Sequence, residues 1–167
     1  MNYSRNELVQ SEATMNQMRN SVYILQRFMK NNGLTEIKQR LNRMGKNIAH
    51  TYVKYWKPIE VIDLSNISDV LATLYKNILN STVSIEINST NNTISVKDND
   101  CALCKYHFED IEVAGCEIIA SMIAEFVNLI NAHSGISFAL EPINIKESRA
   151  LGNKTCIHVY KYLEGGI

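Results

Sequence analysis

The sequence predicts an α+β domain in which a four-stranded antiparallel sheet is packed on a helical layer, with elements in the order α-α-α-β-β-α-β-β. Three observations predict it. Apolar residues recur at three- and four-residue steps up to Ile78, and the period switches to two at Val83. The strand-like stretches come in two pairs, each joined through turn residues, which favours hairpins and antiparallel pairing. The first three helices are segregated from the strands instead of alternating with them, which argues against a parallel sheet. A chain of 167 residues with 46% hydrophobic content is long enough to bury one core. No repeat or Pro/Gly-rich linker divides it, so residues 1–167 read as a single domain, with 1–11 expected to be flexible.

Each element has its own signal. Met15, Met18, Val22, Leu25 and Met29 form one stripe of a first helix, and Asn32-Gly33 supplies its stop. A second helix carries Ile37, Leu41, Met44, Ile48 and Tyr52 on one face, and Pro58 lies just past it. Gly45 sits in the interior of that helix, where glycine costs about 1 kcal/mol relative to alanine; such a glycine lets another backbone approach closely. Ser65 or Asn66 can cap a third helix bearing Ile67, Val70, Leu71, Leu74 and Ile78. Val83, Ile85 and Ile87 alternate with polar residues as in a half-buried strand, Thr90-Asn91-Asn92 is turn chemistry, and Thr93 to Lys97 returns. Residues 99 to 111 read as a polar loop. Gly115 to Ile130 is apolar nearly all round and reads as a buried helix, and Ile136 to Ile145 pairs with Thr155 to Leu163 across Leu151-Gly152-Asn153.

Charge excludes several classes of function. Lys+Arg and Asp+Glu are both 17, so no basic excess recruits nucleic acid or a membrane surface, and the absence of net repulsion between copies mildly favours self-association. Ile118 to Ile130 is too short to span a bilayer, and no transmembrane segment is expected. Met1 to Ser11 lacks the apolar core of a signal peptide, so the expected location is cytoplasmic and the four cysteines are expected as thiols or metal ligands.

Those cysteines carry the sharpest chemistry. The two-residue gap of Cys101-x-x-Cys104 lets both thiolates meet one ion from a tight turn; Cys116 opens a helix, where thiolates are favoured, and Cys156 arrives from the last strand. Four such ligands make a candidate zinc site. Two alternatives stay open: small core cysteines with two loop thiols, or a redox switch between Cys101 and Cys104.

Other constellations point away from catalysis. His50, His107, His133 and His158 are scattered, without the spacing of a metalloprotease or a nearby nucleophile, and no phosphate-binding glycine loop occurs. Glu109, Asp110 and Glu112 precede the long apolar helix and are expected to complement its dipole. Tyr52, Tyr55, Trp56, Tyr160 and Tyr162 either cap the core or rim a pocket or interface. Met15, Met18, Met29 and Met44 make an adaptable apolar surface, suited to core packing, a partner helix or a lipid-like guest.

Met44-Gly45-Lys46-Asn47-Ile48-Ala49 resembles the MGxNIG segment of TRAPP vesicle-tethering subunits, and Asn66 to Leu79 resembles the helix that follows it there. Cys116 and the helix after it resemble the central helix of those proteins. Ala150-Leu151-Gly152 through Cys156-Ile157-His158-Val159 resembles the AxGxxxC strand of vinyl-four-reductase domains, their prokaryotic relatives. Ala49 departs from the glycine of the tethering subunits, and Ser148 stands where the reductase-type signature has another cysteine, a place Cys101 and Cys104 would fill. The resemblance implies a TRAPP-like fold, no enzymatic activity and dimerisation through helices, with Met15, Met18, Val22, Leu25 and Met29 as the seam of a homodimer or of a heterodimer with a related subunit. It further implies one of two roles: a scaffold in a membrane-tethering complex acting with a small GTPase, or a sensor that binds an apolar small molecule and holds zinc through Cys101, Cys104, Cys116 and Cys156.

Overall fold

The structure, a computed structural model, describes residues 4–55, 61–135 and 137–164. Trp56, Pro58 and Ile136, the expected start of the third strand, lie outside the described residues. The elements follow the expected order: α1 (Arg5–Asn31), α2 (Ile37–Tyr52), α3 (Ile67–Leu79), β1 (Val83–Asn88), β2 (Thr93–Asp98), α4 (Glu117–Ser134), β3 (Phe138–Glu147) and β4 (Cys156–Glu164). A short 3₁₀ turn, Arg149–Leu151, links the last two strands.

The four strands form one antiparallel sheet in the order β1-β2-β4-β3. Alternation places Ile94, Val96 and Asp98 of β2 and Cys156, His158, Tyr160 and Tyr162 of β4 on the buried face, with Val96 opposite His158 and Asp98 opposite Cys156. α4 covers β3 and β4, α3 lies against β1, and α2 rides on α4. Pro142 is accommodated because β3 is an edge strand, interrupted by register shifts on either side of Ile145.

Gly45 does what its place in the helix implied. A Cβ there would overlap the Ile118 carbonyl oxygen and lie 2.9 Å from Met122 N, so its absence sets how closely α2 approaches the α4 backbone. Asn131 closes the other end of α4. Its side chain donates to the carbonyls of Ile62 and Phe138 at 2.7 and 2.8 Å and accepts from Ile62 N at 3.2 Å, joining the linker before α3 to β3.

Three local expectations change. α1 begins at Arg5, within the segment read as flexible, because Ser4 and Glu7 form a reciprocal capping box. Asn66 holds the N-cap position of α3 but does not cap it; its side chain bonds Val61 O and Asp63 N instead. The segment 99–111 is not simply a polar loop, because Cys101 to Cys104 are buried.

Candidate metal centre

Among the described residues, one group of metal-ligating side chains converges. Cys101, Cys104, Cys116 and Cys156 place their sulfur atoms within 4.8 Å of one another, and all four are buried free thiols. Three parts of the fold deliver them. The turn closed by Cys104 N donating to Cys101 O at 3.2 Å aims two thiols at one point. Cys116 is the N-cap of α4, and Cys156 begins β4 on its buried face.

The surroundings suit sulfur ligands. Arg149 N donates to Cys156 Sγ at 3.4 Å, and Ser148 Oγ stands 3.8 Å from Cys116 Sγ and 3.9 Å from Cys156 Sγ. Hydrogen bonds from Cys101, then Cys104 and Cys116, hold the Cys156 thiol far below its ordinary range. Its bond to Cys104, followed by those to Cys116 and Cys156 and by burial, pushes the Cys101 thiol up. Four thiols in contact thus share protons unequally, and a cation that displaces those protons relieves the competition.

The site meets the geometric test for a tetrahedral ion. Zinc–sulfur bonds of about 2.3 Å place sulfurs about 3.8 Å apart, so the cluster reaches that geometry by contracting about 1 Å at most. An all-thiolate donor set suits zinc or another thiophilic metal, and four protein ligands would leave no position for substrate, the pattern of structural rather than catalytic sites.

Beneath the thiols lies a second buried polar group. The Tyr75 hydroxyl meets His158 Nδ1 at 2.5 Å and the Tyr160 hydroxyl at 2.9 Å. Ser81 Oγ donates to Asp98 Oδ1 at 2.5 Å, while Asp98 Oδ2 and His158 Nε2 are buried without a hydrogen-bond partner. Burial raises the Asp98 carboxyl and keeps Tyr75 protonated. Tyr160 and Tyr162 are therefore core residues, whereas Tyr55 is exposed and Tyr52 lines a cavity.

The remaining sequence candidates divide. Of the α1 stripe, Val22 and Met29 are buried within the protein, Met15 is half-buried, and Met18 and Leu25 are 51% and 38% exposed. The face that α1 buries is centred on Arg19, Tyr23 and Gln26, two of them polar, which an apolar stripe did not signal. Leu8, Val9, Ile24 and Phe28 add to the exposed apolar surface. Asp110 and Glu112 pair with Arg27 and Lys30 of α1, not with the α4 dipole, because α4 starts only at Glu117. His50 faces Glu125, His133 bonds its own helix at Leu129 O, and His107 is exposed.

A cavity of about 460 Å³ opens between α1, α2 and α4, with Met15, Met18, Ile48, Tyr52, Ile119 and Met122 as apolar walls and Glu12, Arg19 and Lys105 at the polar side. Sequence reading anticipated an apolar site through the family resemblance and through Met15, Met18 and Tyr52, which do line the cavity; the residues that build it come from five separate segments, and no local pattern brings them together.

No protein-family model and no curated protein matches the sequence. Among solved structures, the chain is similar to a trafficking protein particle complex subunit 3 from Naegleria fowleri, covalently bound to palmitic acid, with a TM-score of 0.66 at 13% identity over 92% of this chain and 97% of that one. The α+β fold is thus TRAPP-like. No helix among the described residues is long and apolar enough to cross a membrane.

Proposed function

We propose that this chain is a non-enzymatic scaffold subunit that pairs with a second copy or a related subunit through α1, in an assembly of the vesicle-tethering, GTPase-regulating kind. It carries one zinc ion on Cys101, Cys104, Cys116 and Cys156. The exposed apolar strip on α1 carries the reading: Met18, Ile24, Leu25 and Phe28 stay uncovered by the protein's own core, and Phe28 is 60% exposed. A helix that leaves such residues open marks a surface completed by a partner. Its resemblance to a trafficking-complex subunit supports the choice of partner class. Zinc bound here supplies a crosslink between turn, helix and strand; the chain's own part is to deliver four thiols and shield them from water.

Light scattering on the eluting protein tests the pairing. A dimer that Leu25→Glu with Phe28→Glu converts to a folded monomer is the expected result. A parent protein monomeric at every concentration, without a captured related subunit, removes the proposal.

The cavity supports a second reading, a sensor of the vinyl-four-reductase type that takes an apolar small molecule. Its volume of about 460 Å³ falls within the range of small-molecule sites, and most of its walls are apolar. Native mass spectrometry of the purified protein distinguishes the two: a co-purified apolar compound lost on Met122→Trp favours the sensor, and an empty dimer favours the scaffold.

A further inference from the structure

Residues 99–116 join β2 to α4 without a helix or strand of their own. Connections of this length usually carry a function, and here both ends are buried, at Cys101 to Cys104 and at Ala114 to Cys116. One side of the segment supplies three of the four thiols. The other side carries α1. Arg19 Nε donates to Ala102 O at 2.6 Å, and the Tyr23 hydroxyl donates to Leu103 O at 2.8 Å while lying 3.5 Å from Cys104 Sγ. Both carbonyls belong to the turn between Cys101 and Cys104.

Further along, Phe108 stacks at a tilt on Tyr23 with ring centres 4.2 Å apart and lies under the Arg27 guanidinium. Arg27 grips Asp110 with two nitrogens, Lys30 pairs with Glu112 at 2.6 Å, and Lys105 reaches Glu12 at 2.7 Å. Among the described residues, the polar contacts of α1 beyond its own turns all run to 102–112, and its direct contact with α2 is slight. Even Gly115 is shaped to this docking, since a Cβ there would come 2.8 Å from the Tyr23 hydroxyl oxygen.

We propose that metal binding at the thiol cluster latches α1 onto the body: ligation of Cys101 and Cys104 fixes the turn whose carbonyls bind Arg19 and Tyr23, and loss of the metal frees α1 and opens the cavity beneath it. The inference rests on the metal reading given above and adds a consequence to it. Ligation puts metal–sulfur bonds in place of the protons the four cysteines still hold and releases those protons to solvent, with no change of oxidation state. The turn carries two of the four thiols and also accepts the hydrogen bonds of α1. Its carbonyl directions depend on where its two thiols are held. The cavity walls divide accordingly, with Met15, Met18 and Arg19 on α1 and Ile118, Ile119 and Met122 on α4, so release of α1 uncovers apolar surface.

Hydrogen exchange on the whole chain, with thiols reduced, tests the latch in zinc-loaded and chelator-treated protein. Residues 12–30 are expected to exchange at least about tenfold faster without zinc, with α4 and the sheet changing far less. Tyr23→Phe is expected to bind zinc with the parent's stoichiometry yet show a faster-exchanging α1 in the loaded form. Equal α1 protection in both forms, with one zinc taken up, overturns the latch and leaves the metal reading standing. Loss of α4 and sheet protection together with α1 also overturns it, since the metal is then a staple of the whole fold. Failure of the reduced protein to take up zinc overturns both, and the stoichiometry shows which case applies.

Discussion

Replacing Gly45 by alanine sets two effects against each other. Helix propensity alone favours alanine by about 1 kcal/mol. The added methyl, however, would overlap the Ile118 carbonyl oxygen and meet Met122 N at 2.9 Å and Ser121 Cβ at 3.0 Å. Two of these obstacles are backbone atoms of α4, so no rotamer change relieves them and the two helices must separate. Overpacking of this kind costs about 1–3 kcal/mol, with the upper end expected where backbone is hit. The net effect is a loss of about 1–2 kcal/mol. For a chain of this length each kcal/mol moves the melting temperature by about 2–4 °C, so Gly45→Ala should melt about 2–8 °C lower. Thermal unfolding followed by circular dichroism, with a urea titration to check that the slope is unchanged, provides the reading. Asn47→Ala, an exposed site on the same helix, serves as the control and should be neutral or slightly stabilising. A Gly45→Ala protein that melts higher than the parent refutes the close approach of α2 to α4.

Other perturbations have equally definite outcomes. Asn131→Ala strips hydrogen bonds from Ile62 and Phe138 in the buried interior, and an equilibrium urea titration should show a loss of about 2–4 kcal/mol. Cys156→Ser should weaken zinc binding more than about 100-fold in a competition titration against a chelator, because removing a direct ligand exceeds the effect of removing an outer-shell partner. Arg27 holds the Asp110 carboxyl below its ordinary value of 3.8 through their hydrogen bonds. A carboxyl whose folded pKa lies below its unfolded value stabilises the fold above that value and loses this contribution as pH falls. The stability gap between parent and Arg27→Met should therefore be fullest above about pH 5 and narrow as pH drops below 3.8, as read from melting curves at low salt.

Much of this architecture was legible because it follows from local periodicity. The switch to period two at Val83 marked the first hairpin, and Gly45 inside a helical pattern announced a close backbone contact that the structure places against Ile118 and Met122. The four cysteines could be grouped because thiol spacing and element ends are visible in sequence, and they do converge. The α1 stripe was less informative. At 3.6 residues per turn, Met18 and Leu25 lie toward the edge of the arc that Arg19, Tyr23 and Gln26 occupy, so a three-four pattern of apolar residues selected the wrong centre. Arg19 and Tyr23 can be buried because carbonyls of the 101–104 turn accept from them, a long-range pairing that no local pattern encodes. The acidic run before α4 was misassigned for a related reason: Glu112 reads equally well as a helix-dipole partner until α1 brings Lys30 to it.

The metal content of protein purified without chelators, measured by elemental analysis alongside protein concentration, tests the central claim most directly. One zinc per chain, falling to none in Cys104→Ser, is the predicted result. Metal-free protein that takes up no zinc when reduced, and whose melting temperature a chelator leaves unchanged, contradicts it.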